Sequence, residues 1–262
     1  MRALAIANQK GGVGKTTTAI NLGTALAATS KSVLIFDTDP QGNASTGIDI
    51  HPDDRAVSSY HVLVGAEPMS KAVLPTKVPN LFIVPADANL SGVETELMAG
   101  GRAQFRLRDA LTQFRGESSL NVDYVLIDCP PSLNVLTVNA LTAADAVLVP
   151  LQTEYFALEG LAQLIATINA VKQNLNPTLE IQGVVLTMYD KRTTLSEQVA
   201  QEVRAHFPDK VYETVIPRNV RISEAPSHGL PAIIYDQNAA GSKAYINLAK
   251  ELIERERMLS AA

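Results

Sequence analysis

NQKGGVGKTTT, residues 8–18, joins the short apolar run at 3–7 to a helical pattern over 19–28. A buried strand, a glycine-rich turn and a helix N-terminus together make a phosphate cradle. Gly11, Gly12 and Gly14, with Val13 between them, let the backbone curl so that successive N–H groups aim at one anion. The opening of the helix at Thr16 and Thr17 adds its free N–H groups and the positive end of its dipole. Lys15 can reach the β- and γ-phosphates of a nucleotide, and the Thr16 hydroxyl can ligate Mg²⁺. The usual pattern for such a loop is G-x-x-x-x-G-K-[ST]. Here Gln9 stands in place of its first glycine, and a second lysine, Lys10, lies inside the loop.

A chain of 262 residues suits one α/β unit, so a single domain over 1–262 is expected. With 46% hydrophobic and 19% charged residues, the chain can form a large core and is not of disordered composition. A net charge of −5 argues against a surface coated in positive charge but leaves a local basic patch open. The single cysteine, Cys129, excludes an internal disulfide and a CxxC metal site. No apolar run reaches the ~18 residues of a membrane span. The chain enters its first strand without a signal peptide, so a cytoplasmic protein is expected.

Outward from the loop, short apolar runs alternate with helical spacing. Residues 32–36, SVLIF, read as a buried parallel strand that ends in Asp37-Thr38-Asp39-Pro40-Gln41-Gly42-Asn43. Carboxylates at the carboxyl end of a strand lie where doubly wound sheets bind ligands. One of Asp37 and Asp39 is expected to organise the Mg²⁺ shell while the other faces the γ-phosphate. The same string also suits an Asx-turn ahead of Pro40. Residues 58–65 read as a short helix ended by Gly65, 81–84 as a strand, and 90–114 as a helix. In that last pattern Arg102, Arg106 and Arg108 fall on the polar side. VDYVLID, residues 122–128, is a strand that carries Asp128 toward the second shell of Mg²⁺. Further strands are expected at 146–150, 181–188 and up to 215–218, and further helices at 155–172 and 195–207. Gly183 inside a strand marks a close approach. In the final helix, 239–258, Tyr245, Leu248, Ala249, Leu252 and Ile253 follow i, i+3, i+4, i+7, i+8 and form one apolar face. Strands alternating with helices imply a doubly wound, mostly parallel sheet covered on both faces, an α/β fold.

The loop K-G-G-x-x-K-[ST] resembles the deviant Walker A loop of the ParA/MinD group of P-loop ATPases. DxDPQGN at 37–43 resembles the first switch segment of the ParA family, and DCPPS at 128–132 its second switch. Pro217 to Gly229, PRNVRISEAPSHG, matches the ParA/Soj pattern closely. Four motifs in order over nearly the whole chain imply a partitioning ATPase of the ParA/Soj type. Such a protein binds ATP and Mg²⁺, dimerises with ATP and binds double-stranded DNA without sequence preference. A ParB-like centromere-binding partner stimulates its hydrolysis, and it associates with the nucleoid. The resemblance further implies that Lys10 reaches across the dimer to the partner's nucleotide and that Asp39 positions the hydrolytic water. Lys10, Lys15 and Asp39 are then the catalytic set, and Thr16, Asp37 and Asp128 serve the metal. Met188, Pro217 and Arg218 frame the adenine, and Arg192, Arg218 and Arg221 touch DNA.

Other readings of the same loop need features of their own. A MinD-like membrane-positioning ATPase needs a basic amphipathic tail to lie on anionic lipid. Here the final helix is of mixed sign, with Lys243, Lys250, Arg255 and Arg257 among Glu251, Glu254 and Glu256. A reductase like the nitrogenase iron protein needs two cysteines per subunit. A small-molecule ligase or kinase needs an acceptor pocket, for which no motif is present.

Overall fold

Side chains along β1 (Arg2–Ile6) and β2 (Val33–Asp37) alternate between two separate cores. Ala3, Ala5, Leu34 and Phe36 enter one, and Leu4, Ile6, Val33 and Ile35 enter the other. Both faces of the sheet are covered, which is why these strands read as unbroken apolar runs rather than as alternating ones. Each fully buried leucine, isoleucine or phenylalanine contributes roughly 1.5–3 kcal/mol.

The computed structural model describes residues 1–99, 101–117 and 119–261. The remaining strands are β3 (Leu74–Pro75), β4 (Leu81–Val84), β5 (Tyr124–Asp128), β6 (Ala146–Gln152) and β7 (Glu180–Thr187). The sheet order is β3-β4-β2-β5-β1-β6-β7, with every pairing parallel except that of β3 with β4. The helices in the first half are α1 (Lys15–Ala27), α2 (Asn43–Gly47), α3 (Ser59–Val64), α4 (Met69–Ala72), α5 (Val93–Ala99) and α6 (Arg106–Glu117). The second half adds α7 (Val135–Ala143), α8 (Ala157–Asn174), α9 (Thr194–His206), α10 (Val220–Glu224), α11 (Ala232–Tyr235) and α12 (Ala240–Ala261). One core joins the sheet to Leu22 and Leu26 of α1 and to Tyr245, Leu248 and Leu252 of α12. The other takes Leu111 of α6, Leu136 of α7, Leu161 of α8 and Val203 of α9. The apolar face of α12 is therefore core, as its spacing implied.

Register sets the site. Ile6 pairs with Asp128, and Asp37 pairs with the same Asp128 from the other side. The carboxyl ends of β1, β2 and β5 thus finish level, and the loops that leave them share one edge.

Two expected elements differ. The pattern over 90–114 is not one helix. It breaks into a 3₁₀ turn at Ala88–Gly92, then α5, a second 3₁₀ turn at Ala103–Phe105, and α6; position 100 lies outside the described residues. Gly101 and Arg102 are both left-handed, with φ of 65° and 55°, which ends a helix whatever the apolar spacing around it. Residues 215–218 form no strand. An isolated bridge, Tyr189 to Pro217, replaces it, because Pro217 has no N–H to donate to a ladder.

The close approach expected at Gly183 is present. A β-carbon there would lie 2.6 Å from the Lys210 carbonyl oxygen and 2.6 Å from the Tyr212 ring. Gly183→Ala should therefore cost about 1–3 kcal/mol through overpacking. Thermal unfolding followed by circular dichroism should show a midpoint lowered by several degrees. An unchanged midpoint would mean that 210–212 does not pack on β7 as described.

Candidate functional site

The loop after β1 is tied down before it turns. Asn8 Nδ2 donates to the Pro150 carbonyl at 2.8 Å, and Asn8 Oδ1 accepts from Lys10 N at 3.0 Å. Gln9, in place of the usual glycine, donates through Nε2 to Gly160 O at 3.3 Å and Gln163 Oε1 at 2.5 Å. The departure from the common motif thus anchors the loop to α8. Gly12 and Gly14 have φ of 76° and 90°, and nothing lies within 4 Å of a β-carbon at Gly12. The requirement there is conformational, not spatial. Thr187 Oγ1 donates to Val13 O at 2.8 Å and holds the turn over α1. Lys15 is buried at 6% exposure, and its Nζ donates to Lys10 O at 2.9 Å. Burial pushes its ammonium pKa down, against the pull of Asp128, Cys129 and Asp39.

Two carboxylates stand behind this loop with no exposure at all, Asp37 and Asp128. Asp37 is fully engaged: Oδ2 accepts from Ser45 N at 3.0 Å and Ser45 Oγ at 2.7 Å, and Oδ1 from Asp39 N at 3.1 Å. Burial still raises its pKa. Neither oxygen of Asp128 has a hydrogen-bond partner of ordinary geometry among the described residues. Burial, then the neighbouring Asp37, push its pKa well up, while the adjacent Thr16 side chain and Lys15 oppose them. Asp39 instead faces a cavity of about 700 Å³, with Oδ1 accepting from Gln41 N at 2.9 Å. Gly11, Gly12, Gly14, Lys15, Thr16 and Thr17 line the same cavity, as do Pro130, Pro131 and Ser132. The two aspartates at and just past the end of β2 occupy different places. Asp37 sits behind the wall, and Asp39 is on it. Cys129 is buried, which raises its thiol pKa, and it lies off the cavity wall.

A second cavity of about 310 Å³ shares Gly14 and Thr17 with the first. It brings Met188, Pro217 and Arg218 together with Thr187, Asn219 and Tyr245. Met188 has φ of 50°, a left-handed conformation rare for its residue type. Tyr189 N donates to Ile216 O at 3.0 Å and Arg218 N to Tyr189 O at 3.2 Å, which hold that kink in place.

Three of the basic candidates, Lys10, Arg192 and Arg221, rest on carboxylates of their own chain. Lys10 forms an ion pair with Glu154 of its own chain. Arg192 makes a two-pronged contact with Asp190, Nε to Oδ1 at 2.9 Å and Nη2 to Oδ2 at 2.7 Å. That contact holds the Asp190 carboxyl down at about 2. Arg221 pairs with Glu224 at 2.9 Å and Asp236 at 3.6 Å. Sequence reasoning missed Glu154, Ser45, Asn219 and Tyr245. Ser45, close behind the DxDPQGN string, and Asn219, inside the PRNVR segment, carried signals that could have found them.

A glycine loop between β1 and α1, backed by carboxylates ending β2 and β5, defines a P-loop nucleotide-binding protein. Comparison with known proteins agrees. Residues 1–181 match the AAA domain family AAA_31. The chain is 64% identical over 257 residues to the chromosome partitioning protein ParA of Caulobacter vibrioides, covering 98% of this chain and 96% of the relative. It is 51% identical over 251 residues to the sporulation initiation inhibitor protein Soj of Bacillus subtilis, covering 96% and 98%. A solved structure of cobyrinic acid a,c-diamide synthase from Mycobacterium smegmatis, with bound ADP and magnesium, superposes with a TM-score of 0.82. Its sequence is 37% identical, over 98% of this chain and 96% of that one. The chain belongs to the ParA/Soj family of chromosome partitioning ATPases. Among the described residues no helix is long and apolar enough to cross a membrane.

The state of Asp128 is testable without turnover. A carboxyl whose pKa is raised on folding destabilises the fold above its unfolded pKa, increasingly so as pH rises through the folded value, and not at all below both. Asp128→Asn should therefore raise the melting temperature of nucleotide-free protein at pH 8, with a smaller gain at pH 5. A melting temperature lowered at both pH values would show that Asp128 is satisfied in the ligand-free protein.

Proposed function

We propose that this chain is a ParA/Soj-type partitioning ATPase, acting as one domain over 1–262. It hydrolyses ATP with Mg²⁺, dimerises when ATP is bound, and holds double-stranded DNA without regard to sequence. A ParB-like partner stimulates hydrolysis and so ends the DNA-bound state. The single observation that carries this reading is 64% identity to a chromosome partitioning protein over 98% of the chain, with the whole phosphate loop in place. The diamide synthase reading weighs less, at 37% identity.

The residues fit a magnesium nucleotide, because Asp128 presents two buried oxygens, without a hydrogen bond of ordinary geometry among the described residues, beside Thr16 and Lys15. Thr16, Asp37 and Asp128 would hold the metal, Thr16 directly and the carboxylates through its shell. When bound, Mg²⁺ neutralises charge on the β- and γ-phosphates. Backbone N–H groups of residues 11–17 bind the phosphates, and Lys15 supplies the nearest cation. Asp39, on the cavity wall, orients a water for in-line attack. Met188, Pro217 and Arg218 enclose the base. Lys10 leaves Glu154 for the partner's nucleotide. The protein is expected in the cytoplasm, on the nucleoid, with no membrane partner.

DNA binding by Arg192 and Arg221 is then an exchange, in which Asp190, Glu224 and Asp236 give up arginines to phosphate, while Arg218, which forms no ion pair among the described residues, adds a direct contact. Each phosphate contact contributes roughly 0.9 to the slope of log affinity against log salt. With two copies per dimer, Arg192→Ala should lower that slope by up to about two units on any duplex, and should leave ATP-dependent dimerisation intact. Titration of unrelated duplexes at several salt concentrations measures it. An unchanged slope would move the DNA surface elsewhere, and loss of dimerisation would put Arg192 in the nucleotide site or interface.

A further inference from the structure

Arg55 follows the 3₁₀ turn Pro52–Asp54 and is only 9% exposed. Among the described residues it forms no ion pair with a carboxylate. Its guanidinium donates four hydrogen bonds instead: Nε to Ile50 O at 3.2 Å, Nη1 to Ala86 O at 2.9 Å, and Nη2 to Ile50 O at 2.7 Å and Thr46 Oγ1 at 2.8 Å. Burying a cation away from water is unfavourable unless its donors are met, and here each nitrogen of the guanidinium has an acceptor. The plane of the group lies against the loop after β2. A β-carbon on Gly42, itself left-handed at φ 60°, would come within 2.3 Å of Nη1.

The front of that same loop supplies Asp39, Gln41, Asn43 and Thr46 to the wall of the larger cavity. Its back has two clamps that meet at Ala86, just past β4. Ala86 N donates to Ser45 Oγ at 3.1 Å, and Ser45 in turn holds Asp37. Ala86 O receives Arg55. The Arg55 clamp therefore sets the height of residues 42–50 above the sheet, while the Asp37–Ser45 clamp sets their depth. Asp39, two residues past the strand and fixed only through Gln41 N and its own backbone, depends on both.

We propose that Arg55 is a positioning residue for hydrolysis, which holds the loop at 42–50 so that the Asp39 carboxylate keeps its place on the cavity wall. This rests on the ATPase reading above. A planar fork can serve three acceptors on two segments at once, Thr46 and Ile50 on one and Ala86 on the other, with a rigid geometry that a lysine ammonium does not reproduce. A misplacement of about 1 Å at such a site can cost ~10²-fold in rate.

Arg55→Lys should lower kcat at least about tenfold, with KM and the affinity for a fluorescent ATP analogue within about threefold of wild type. In nucleotide-free protein the amides of 42–50 should exchange about tenfold faster. The double variant with Asp39→Ala should turn over no more slowly than Asp39→Ala alone, since Arg55 acts through Asp39. If Arg55→Lys does not unfold cooperatively, Arg55→Ala with added methylguanidinium replaces it, and recovery of kcat is expected. Wild-type kcat in Arg55→Lys, losses that multiply in the double variant, or no recovery with methylguanidinium would each overturn the assignment. Absence of Mg-ATP turnover in the wild type would instead defeat the ATPase reading itself.

Discussion

Asp37 and Asp128 are neighbours in register on adjacent strands, and neither touches solvent. Two carboxylates so placed repel each other in a medium that screens poorly, and the nearest cation, Lys15, is itself buried. The fold resolves half of this conflict. Ser45 and the Asp39 amide satisfy Asp37, while Asp128 has the adjacent Thr16 side chain and the Lys15 charge against its burial and no hydrogen bond of ordinary geometry among the described residues. The pair persists because the parallel register requires the ends of β1, β2 and β5 to finish together, under a loop shaped for an anion. A ligand that brings both phosphate and a divalent cation would answer every unmet group at once.

The same pattern recurs on the outside. Lys10, Arg192 and Arg221, three of the cations with proposed work to do, each rest on a carboxylate of their own chain. In the proposed cycle each exchanges that carboxylate for phosphate, on a nucleotide for Lys10 and on DNA for the arginines. Exchange of this kind is weak, reversible and salt-dependent, which suits a protein that must let go. It also reconciles a net charge of −5 with a polyanionic partner, since local acidic residues hold the basic ones in place until phosphate displaces them.

Much of this was legible in the sequence. The phosphate loop, the strand carrying Asp128 and the apolar face of the last helix each follow from local chemistry: glycine conformation, an apolar run, a period of 3.6. Gly183 announced its close approach for the same reason. What failed was set by contacts distant in the chain. Nothing near Lys10 indicated that Glu154, far along the chain in the turn before α8, would hold it. Nothing in the spacing over 90–114 revealed the left-handed pair at Gly101 and Arg102. Arg55 gave no sign, because its acceptors at Thr46, Ile50 and Ala86 converge only once β2 and β4 are side by side. The place of Asp37 behind the wall and Asp39 upon it needed the fold as well.

The proposed cycle requires that nucleotide draw two copies together through Lys10. Sedimentation velocity of wild type and Lys10→Ala, each with Mg-ATP, with Mg-ADP and without nucleotide, decides it. A dimer is predicted only for wild type with Mg-ATP, while Lys10→Ala binds a fluorescent ATP analogue and stays a monomer. A wild type that is monomeric throughout, or a Lys10→Ala dimer of equal affinity, would contradict it.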